Sequence, residues 1–428
     1  MHQLWALPGA RFAAIMALRP PKLPTDGINE TLPVQDETPV RRVAKRTVFY
    51  IEGYDPRGPG HYHRLYLEEA ARQSPVNGLD LKVGARRRIS PIESAWSVAS
   101  PTTEVQYHFL RYDDLMRTRW SKTNFAVLGD ILYYCWAYLT RGVFLRTLKV
   151  SWPAFVTMML APGIVLAAVL LALLAAAIAG LAAGWLVAMA VGAVVFVGLV
   201  MLRGVLESRF AAFWVARILA FTSDQGGGRA KDMDARLDEF AARIAAAVED
   251  GSADEMLIVG HSVGAHNAVS AVARALNLCS SNSGALSLLT LGHNIPMLGW
   301  QPGATRFRKE LAQVAADPRV AWIDVSASID GACFPLTDPL WGSGLAQPDP
   351  SAPKPKLLSA RFHTLFRPET YASLKRDFRR SHFQYLMAAE LPGDYDYFLI
   401  TAGDQTLDAR YSHLDSVTGF DRFRFGKP

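Results

Sequence analysis

Residues 150–202 contain no Asp, Glu, Lys or Arg. No other feature of the chain restricts its fold as strongly. A bilayer core takes about 20 helical residues per crossing, so one helix over the whole block would far overshoot it. Two spans fit better, 153–178 and 181–202, with AGLAAG (179–184) as the turn between them. Pro162 lacks a backbone donor and is placed to kink the first span. Gly163, Gly180, Gly184, Gly192 and Gly198 would let the two helices approach closely. Arg141, Arg146 and Lys149 precede the block, and Arg203, Arg209 and Arg217 follow it. The positive-inside rule then puts both flanks in the cytoplasm, giving a multi-pass protein with its main domain on that side. The adjoining segments 131–144 and 209–221 mix aromatic and basic residues, as interfacial segments do. No residue of the hairpin is ionisable, which argues against a transport path through it.

The chain has 428 residues, half of them apolar and a fifth charged, with a formal net charge of +6. That balance suits an anionic membrane surface, and no nucleic-acid motif accompanies it. Cys135, Cys279 and Cys333 are odd in number and far apart, so neither a disulfide framework nor a metal-type spacing is expected. The N-terminus has no convincing signal peptide, since Arg11 interrupts its apolar run. Residues 1–45 are expected to be a loosely ordered lead-in, with an amphipathic helix around 4–18 as an option.

On both sides of the apolar block, strand and helix patterns alternate. Residues 48–51 and 104–114 read as strands, with a Gly-rich loop and a helix between them. Residues 231–251 have helical periodicity. Strand patterns at 256–260, 285–292 and 320–326 are separated by helices at 265–276 and 306–316. This alternation predicts a mostly parallel α/β sheet interrupted by the membrane hairpin. The predicted domains are 46–120 together with 222–428, and a membrane insertion, 121–221.

The stretch MLIVGHSVGAHNAVSAVARAL (256–276) places Ser262 in a G-x-S-x-G pattern. Five letters arise readily by chance, but here a strand precedes them and a helix follows. Gly260 and Gly264 would permit a cramped turn that lifts the serine hydroxyl above the sheet. The arrangement resembles the nucleophile elbow of the α/β-hydrolases, particularly the lipase- and esterase-like members. That likeness covers 46–114 and 228 to the C-terminus.

The resemblance implies a Ser–acid–His order along the chain, hydrolysis of an ester or thioester through an acyl-enzyme, and no cofactor or metal. Asp330, just past the strand 320–326, is the first choice for the acid, with Asp338 and Asp324 as alternatives. His382, in an H-x-x-Y pattern at an apparent helix start, is the first choice for the base. His413, after the strand-like YDYFLIT, is its rival, and His363 also lies beyond Asp330. His261 and His266 are expected to pack or to sit at a rim, because the elbow points them away. His61 and His63 are expected at the entry of a helix. The oxyanion donors implied are the backbone N–H of Val263 and one from Gly53 or Tyr54. A bilayer and an acyl-chain substrate are the partners this implies. An acyltransferase with the same triad, or a non-catalytic membrane scaffold, are the alternatives.

Overall fold

Two tyrosines (Tyr50 and Tyr107), two tryptophans (Trp96 and Trp322) and many aliphatic residues fill the sheet that organises the chain. In the computed structural model, residues 42–201, 207, 211–280 and 286–427 are described. The expected lead-in helix at 4–18 and the flanking Arg203 and Arg209 lie outside them.

The sheet has nine strands: β1 (Lys45–Ile51), β2 (Lys82–Val83), β3 (Arg87–Ser90), β4 (Glu93–Ala99), β5 (Glu104–Leu110), β6 (Glu255–His261), β7 (Leu286–Leu291), β8 (Val320–Ser326) and β9 (Lys356–Ser359). Their order is β2-β4-β5-β1-β6-β7-β8-β9, with β3 on β4. From β5 to β9 every pairing is parallel, whereas β2, β3 and β4 run antiparallel. The sheet is therefore mixed, and mostly parallel as expected. Strands β2 to β4 were not legible because they are short or carry Arg, Ser and Glu in place of alternation.

Helices cover both faces, as a parallel sheet requires. On one face Phe49, Ile51, Ile258 and Leu288 pack under α8 (Lys231–Asp250) and α9 (Val263–Leu278). On the other, Tyr50, Val259, Leu289 and Tyr107 pack under α1 (Pro59–Asn77) and the C-terminal segments. Buried Arg46 ties the sheet to that C-terminal layer, pairing with Glu255 at 2.7 Å and donating to the Gly403 carbonyl. The strand-like YDYFLIT forms part of that layer as a helix, Tyr397–Ala402, not a strand. Asp396 caps it by accepting from the Phe398 and Leu399 N–H groups, a signal that outweighs the β-branched composition.

Between β5 and β6 the chain makes α2 (Asp113–Arg119), α3 (Asn124–Thr140), α4 (Val143–Val150), α5 (Trp152–Ala183), α6 (Trp185–Met201) and α7 (Ala212–Gly226). Helix α5 is 32 residues long, with a mean hydropathy of 2.9 over its best window, long and apolar enough to cross a membrane. Helix α6 has 17 residues and falls short of that length within the described residues.

The expected turn AGLAAG is helical as far as Ala183, and only Gly184, at φ 86°, breaks the chain. The alanines there favour helix, and a single glycine suffices to reverse direction. Helix α6 then runs back along α5. A Cβ on Gly192 would lie 3.0 Å from Ala176 Cβ, and one on Gly180 would lie 3.2 Å from Ala188 Cβ. Close approach at small residues is how two such helices gain dispersion contact.

The foot of α5 is packed into the protein. Ala154, Thr157, Met158 and Ala161 are buried against α3, α7 and Phe334, and the Tyr134 hydroxyl donates to the Met158 carbonyl at 3.0 Å. Residues 162–183 remain, about 33 Å of helix at 1.5 Å per residue, close to one bilayer core. Their outward leucines, Leu166, Leu170 and Leu174, are more than half exposed.

Two expectations fail at α7. The segment 209–221 was expected at an interface, but from Ala211 on it is a core helix with nearly every residue buried. Arg217, expected as a flanking charge, is buried too, donating to the Ser121 carbonyl beneath the Trp120 ring. Arginine among aromatics thus signals cation–π packing here as readily as a membrane edge. Helix α7 also crosses the expected domain boundary at 221/222, and the described residues form one compact unit.

Candidate active site

Strand β6 ends at His261 and α9 begins at Val263, so Ser262 alone makes the connection. Its backbone sits at φ 58°, ψ −122°, a conformation that a side-chain-bearing residue adopts only under strain of about 1–3 kcal/mol. Two glycines permit it. A Cβ on Gly264 would run into the carbonyl oxygens of Ile51 and Glu52, and one on Gly260 would lie 2.7 Å from Ala268 Cβ. The elbow is thus pressed against the end of β1, and the Ser262 N–H donates to the Leu291 carbonyl on the other side.

Asp330 lies in the loop after β8, buried. Both of its oxygens face Nδ1 of His382, at 3.0 and 2.9 Å. The Tyr385 hydroxyl donates to Oδ2 at 3.0 Å, and the Ala332 N–H donates to Oδ1 at 2.9 Å. Burial opposes ionisation of this carboxyl, but the neighbouring imidazole and these donors hold it below the usual carboxylate range. With its Nδ1 proton directed at Asp330, His382 keeps Nε2 as an acceptor. The Tyr385 hydroxyl in turn accepts from the Ala327 N–H at 2.9 Å, so the tyrosine of the H-x-x-Y pattern fixes the acid. Gly292 leaves room for this arrangement: a Cβ there would lie 2.7 Å from the Tyr385 ring and 2.9 Å from Asp330 Oδ2.

His382 is the fifth residue of the six-residue helix Phe378–Phe383, not at a helix start as expected; Asp377 is the cap. His261, directly before the serine, packs at a tilt on the His382 ring, with centroids 4.8 Å apart, and donates from Nε2 to the His382 carbonyl at 2.8 Å. Burial, reinforced by the adjacent His382, lowers its pKa to about 3, so it stays neutral. It is a packing residue, as expected, and what it packs against is His382. His266 is buried elsewhere, with Nε2 against Gln225 Oε1.

Ser262 and His382 border one cavity of about 40 Å³, whose other walls include Met158 of α5, Trp214 and Leu219 of α7, Met297 and Phe378. Gly53 abuts the serine, since a Cβ there would lie 3.1 Å from Ser262 Cβ and 3.6 Å from Oγ. The Tyr54 phenol turns away to pack on Phe221 and Trp120, leaving only its backbone near the site. Its carbonyl accepts from Trp214 Nε1 at 2.7 Å. Val263 is the first residue of α9, where a backbone N–H has no acceptor within the helix.

The remaining candidates lie apart. Asp338 caps the helix Pro339–Gly342, accepting from the Leu340 and Trp341 N–H groups. Asp324 is buried inside β8, accepting from Thr290 Oγ1 at 2.6 Å. His363 and His413 are exposed. His63 lies within α1, with Nε2 against the Gly84 carbonyl, and His61 stacks edge-on to Tyr62.

Sequence reasoning missed the cavity walls. Thr157 of α5 donates to the carbonyl of Gly331, next to Asp330, at 2.7 Å, so the apolar helix is bonded to the acid's own loop. The one signal available was Thr157 itself, a polar residue near the start of the apolar block. No family model, curated protein or solved structure matches the chain.

Proposed function

We propose that the chain is a membrane-anchored serine hydrolase of the α/β-hydrolase type, cleaving an ester or thioester that carries an apolar acyl chain. The observation that carries this reading is the buried Asp330–His382 pair bordering the same cavity as a strained, glycine-flanked Ser262. Structural ion pairs are common, but they have no need of a serine held at positive φ beside them.

In this reading His382 Nε2 takes the proton of the Ser262 hydroxyl as Oγ attacks the substrate carbonyl. Asp330 holds the imidazole in the required tautomer and stabilises its charged form. The backbone N–H groups of Val263 and of Gly53 or Tyr54 receive the developing oxyanion. His382 then passes the proton to the departing alcohol or thiol. Water, deprotonated by the same imidazole, releases the acid and restores Ser262.

Met158 and Thr157 support the substrate class. They belong to the foot of α5, so one wall of the cavity continues directly into the apolar helix. An acyl chain dissolved in the bilayer would follow that surface inward. At about 40 Å³ the cavity has room for a few water molecules and not for an acyl chain, so the chain must displace apolar wall side chains as it enters. Both α5 and α6 cross the membrane in this reading, and the arginines flanking the hairpin hold the domain on the cytoplasmic side.

Purified protein in detergent should hydrolyse p-nitrophenyl esters, and Ser262→Ala should remove at least a thousandfold of that rate. Equal rates in the two proteins would refute the assignment.

A further inference from the structure

A second cavity lies at the base of the membrane helices, away from Ser262. It has a volume of about 460 Å³ and is bordered by Arg141, Arg146, Arg308, Trp300 and Ser343. Arg141 ends α3, and Arg146 lies on α4, six residues before α5 begins. Arg308 sits in the helix Thr305–Ala316, on the sheet domain.

Asp224 is near enough to Arg141 to feel its charge, but it does not border this cavity. Among the described residues none of the three arginines pairs with a carboxylate. Arg141 donates to the side-chain carbonyl of Gln301 at 2.6 Å. Arg308 is fixed by the carbonyls of Gly299, Gln301 and Pro302 and by the Thr305 hydroxyl. These acceptors orient its guanidinium without cancelling its charge. No acidic side chain borders the space. Two further donors, Trp300 Nε1 and Ser343 Oγ, are buried and have no hydrogen-bond partner among the described residues. Buried polar groups are almost always satisfied, so two unpartnered donors beside three arginines that lack a paired carboxylate suit an anionic ligand.

The surroundings narrow the anion. Trp136 and Leu139 on α3 and Leu145 on α4 are well exposed, and Trp152 opens α5. Apolar side chains next to arginines at the end of a membrane helix match the layer where lipid phosphates lie.

We propose that this cavity binds the phosphate of an anionic phospholipid headgroup. Arg146 is the exposed clamp, Arg141 and Arg308 supply fixed charge, and Ser343 and Trp300 donate hydrogen bonds. The inference rests on the membrane placement of α5 but not on any chemistry at Ser262, so the Ser262→Ala protein serves equally well for its test.

The full chain, purified in detergent, would be supplied with phosphatidylglycerol or phosphatidylcholine, and bound lipid read by native mass spectrometry. A parallel arm reads thermal stabilisation by inorganic phosphate. Arg146→Gln is the main variant, because Arg146 is exposed and its side chain makes no internal bond among the described residues. Ser343→Ala is the second. The expected result is preferential retention of phosphatidylglycerol, reduced about five-fold in Arg146→Gln. Stabilisation by phosphate that depends on Arg146, with no lipid retained, would overturn the headgroup and reassign the site to a soluble phosphate. Equal retention of both lipids would overturn the preference for an anionic headgroup, and no dependence on Arg146 in either arm would overturn the site itself.

Discussion

Asp330 presents both carboxylate oxygens to Nδ1 of His382, at 3.0 and 2.9 Å, inside a loop that Tyr385 and Ala332 also hold. In Asp330→Asn an amide would face that nitrogen with an N–H group or a weaker acceptor. The imidazole would lose its fixed tautomer, and ester turnover should fall by about 10⁴-fold with the fold intact. Asp338→Ala should instead cost about 1 kcal/mol of stability through the lost helix cap and leave turnover within a few-fold. Steady-state kinetics of both variants, with circular dichroism to verify folding, decide the point. A larger loss in Asp338→Ala would move the acid.

The histidines divide in the same way. His382→Ala should abolish reaction, and His413→Ala, at an exposed position, should retain nearly all of it. Rates measured on the two variants with one activated ester would expose the opposite outcome directly.

The elbow makes a prediction about stability that does not depend on activity. Ser262→Ala keeps a Cβ at φ 58° and keeps the strain, whereas Ser262→Gly releases it. The glycine variant should be about 1 kcal/mol more stable than the alanine variant, although both are inactive. Gly264→Ala should fail to fold, because its Cβ has nowhere to go between the Ile51 and Glu52 carbonyls. Denaturant midpoints in micelles test all three; equal midpoints for Ser262→Gly and Ser262→Ala would deny the strain.

Acid should destabilise the protein in a defined window. His261 and His266 are buried, and burial lowers each pKa to about 3 from an ordinary value near 6.5. Between those two pH values the unfolded chain binds the protons and the folded chain does not. Stability is therefore flat above about pH 6.5 and falls as pH drops below it, by roughly 1.4 kcal/mol per pH unit for each imidazole. His266→Gln removes one of these groups away from the cavity. Its unfolding free energy, followed from pH 7 to pH 5, should show a shallower acid slope than wild type; an identical slope would contradict the buried neutral state.

In the proposed reaction the cavity wall would limit the acyl length. Met158→Ala would open space where α5 meets the site, at a stability cost of about 2–3 kcal/mol. The ratio of kcat/KM for long-chain over short-chain p-nitrophenyl esters should rise several-fold. An unchanged ratio would remove α5 from the substrate path.

The strand–serine–helix order was legible because each part is local: an apolar run, two glycines, then helical periodicity. Asp330 and His382 could be ranked only by chain order, since what brings them together is the length of the loop after β8 and the hold of Tyr385. Arg217 misled because an arginine among aromatics has two meanings, and only the position of Trp120 chooses between them. YDYFLIT misled because Asp396 caps a helix that its β-branched residues disfavour. The meeting of Met158 with Ser262 joins segments a hundred residues apart, and no local pattern could announce it.

The most direct measurement is reaction of the intact protein with a fluorophosphonate probe, followed by peptide mass spectrometry. The expected result is one covalent adduct on Ser262, absent in Ser262→Ala and strongly slowed in His382→Ala. A folded wild-type protein that takes up no probe, or takes it up at another serine, would contradict the proposed nucleophile.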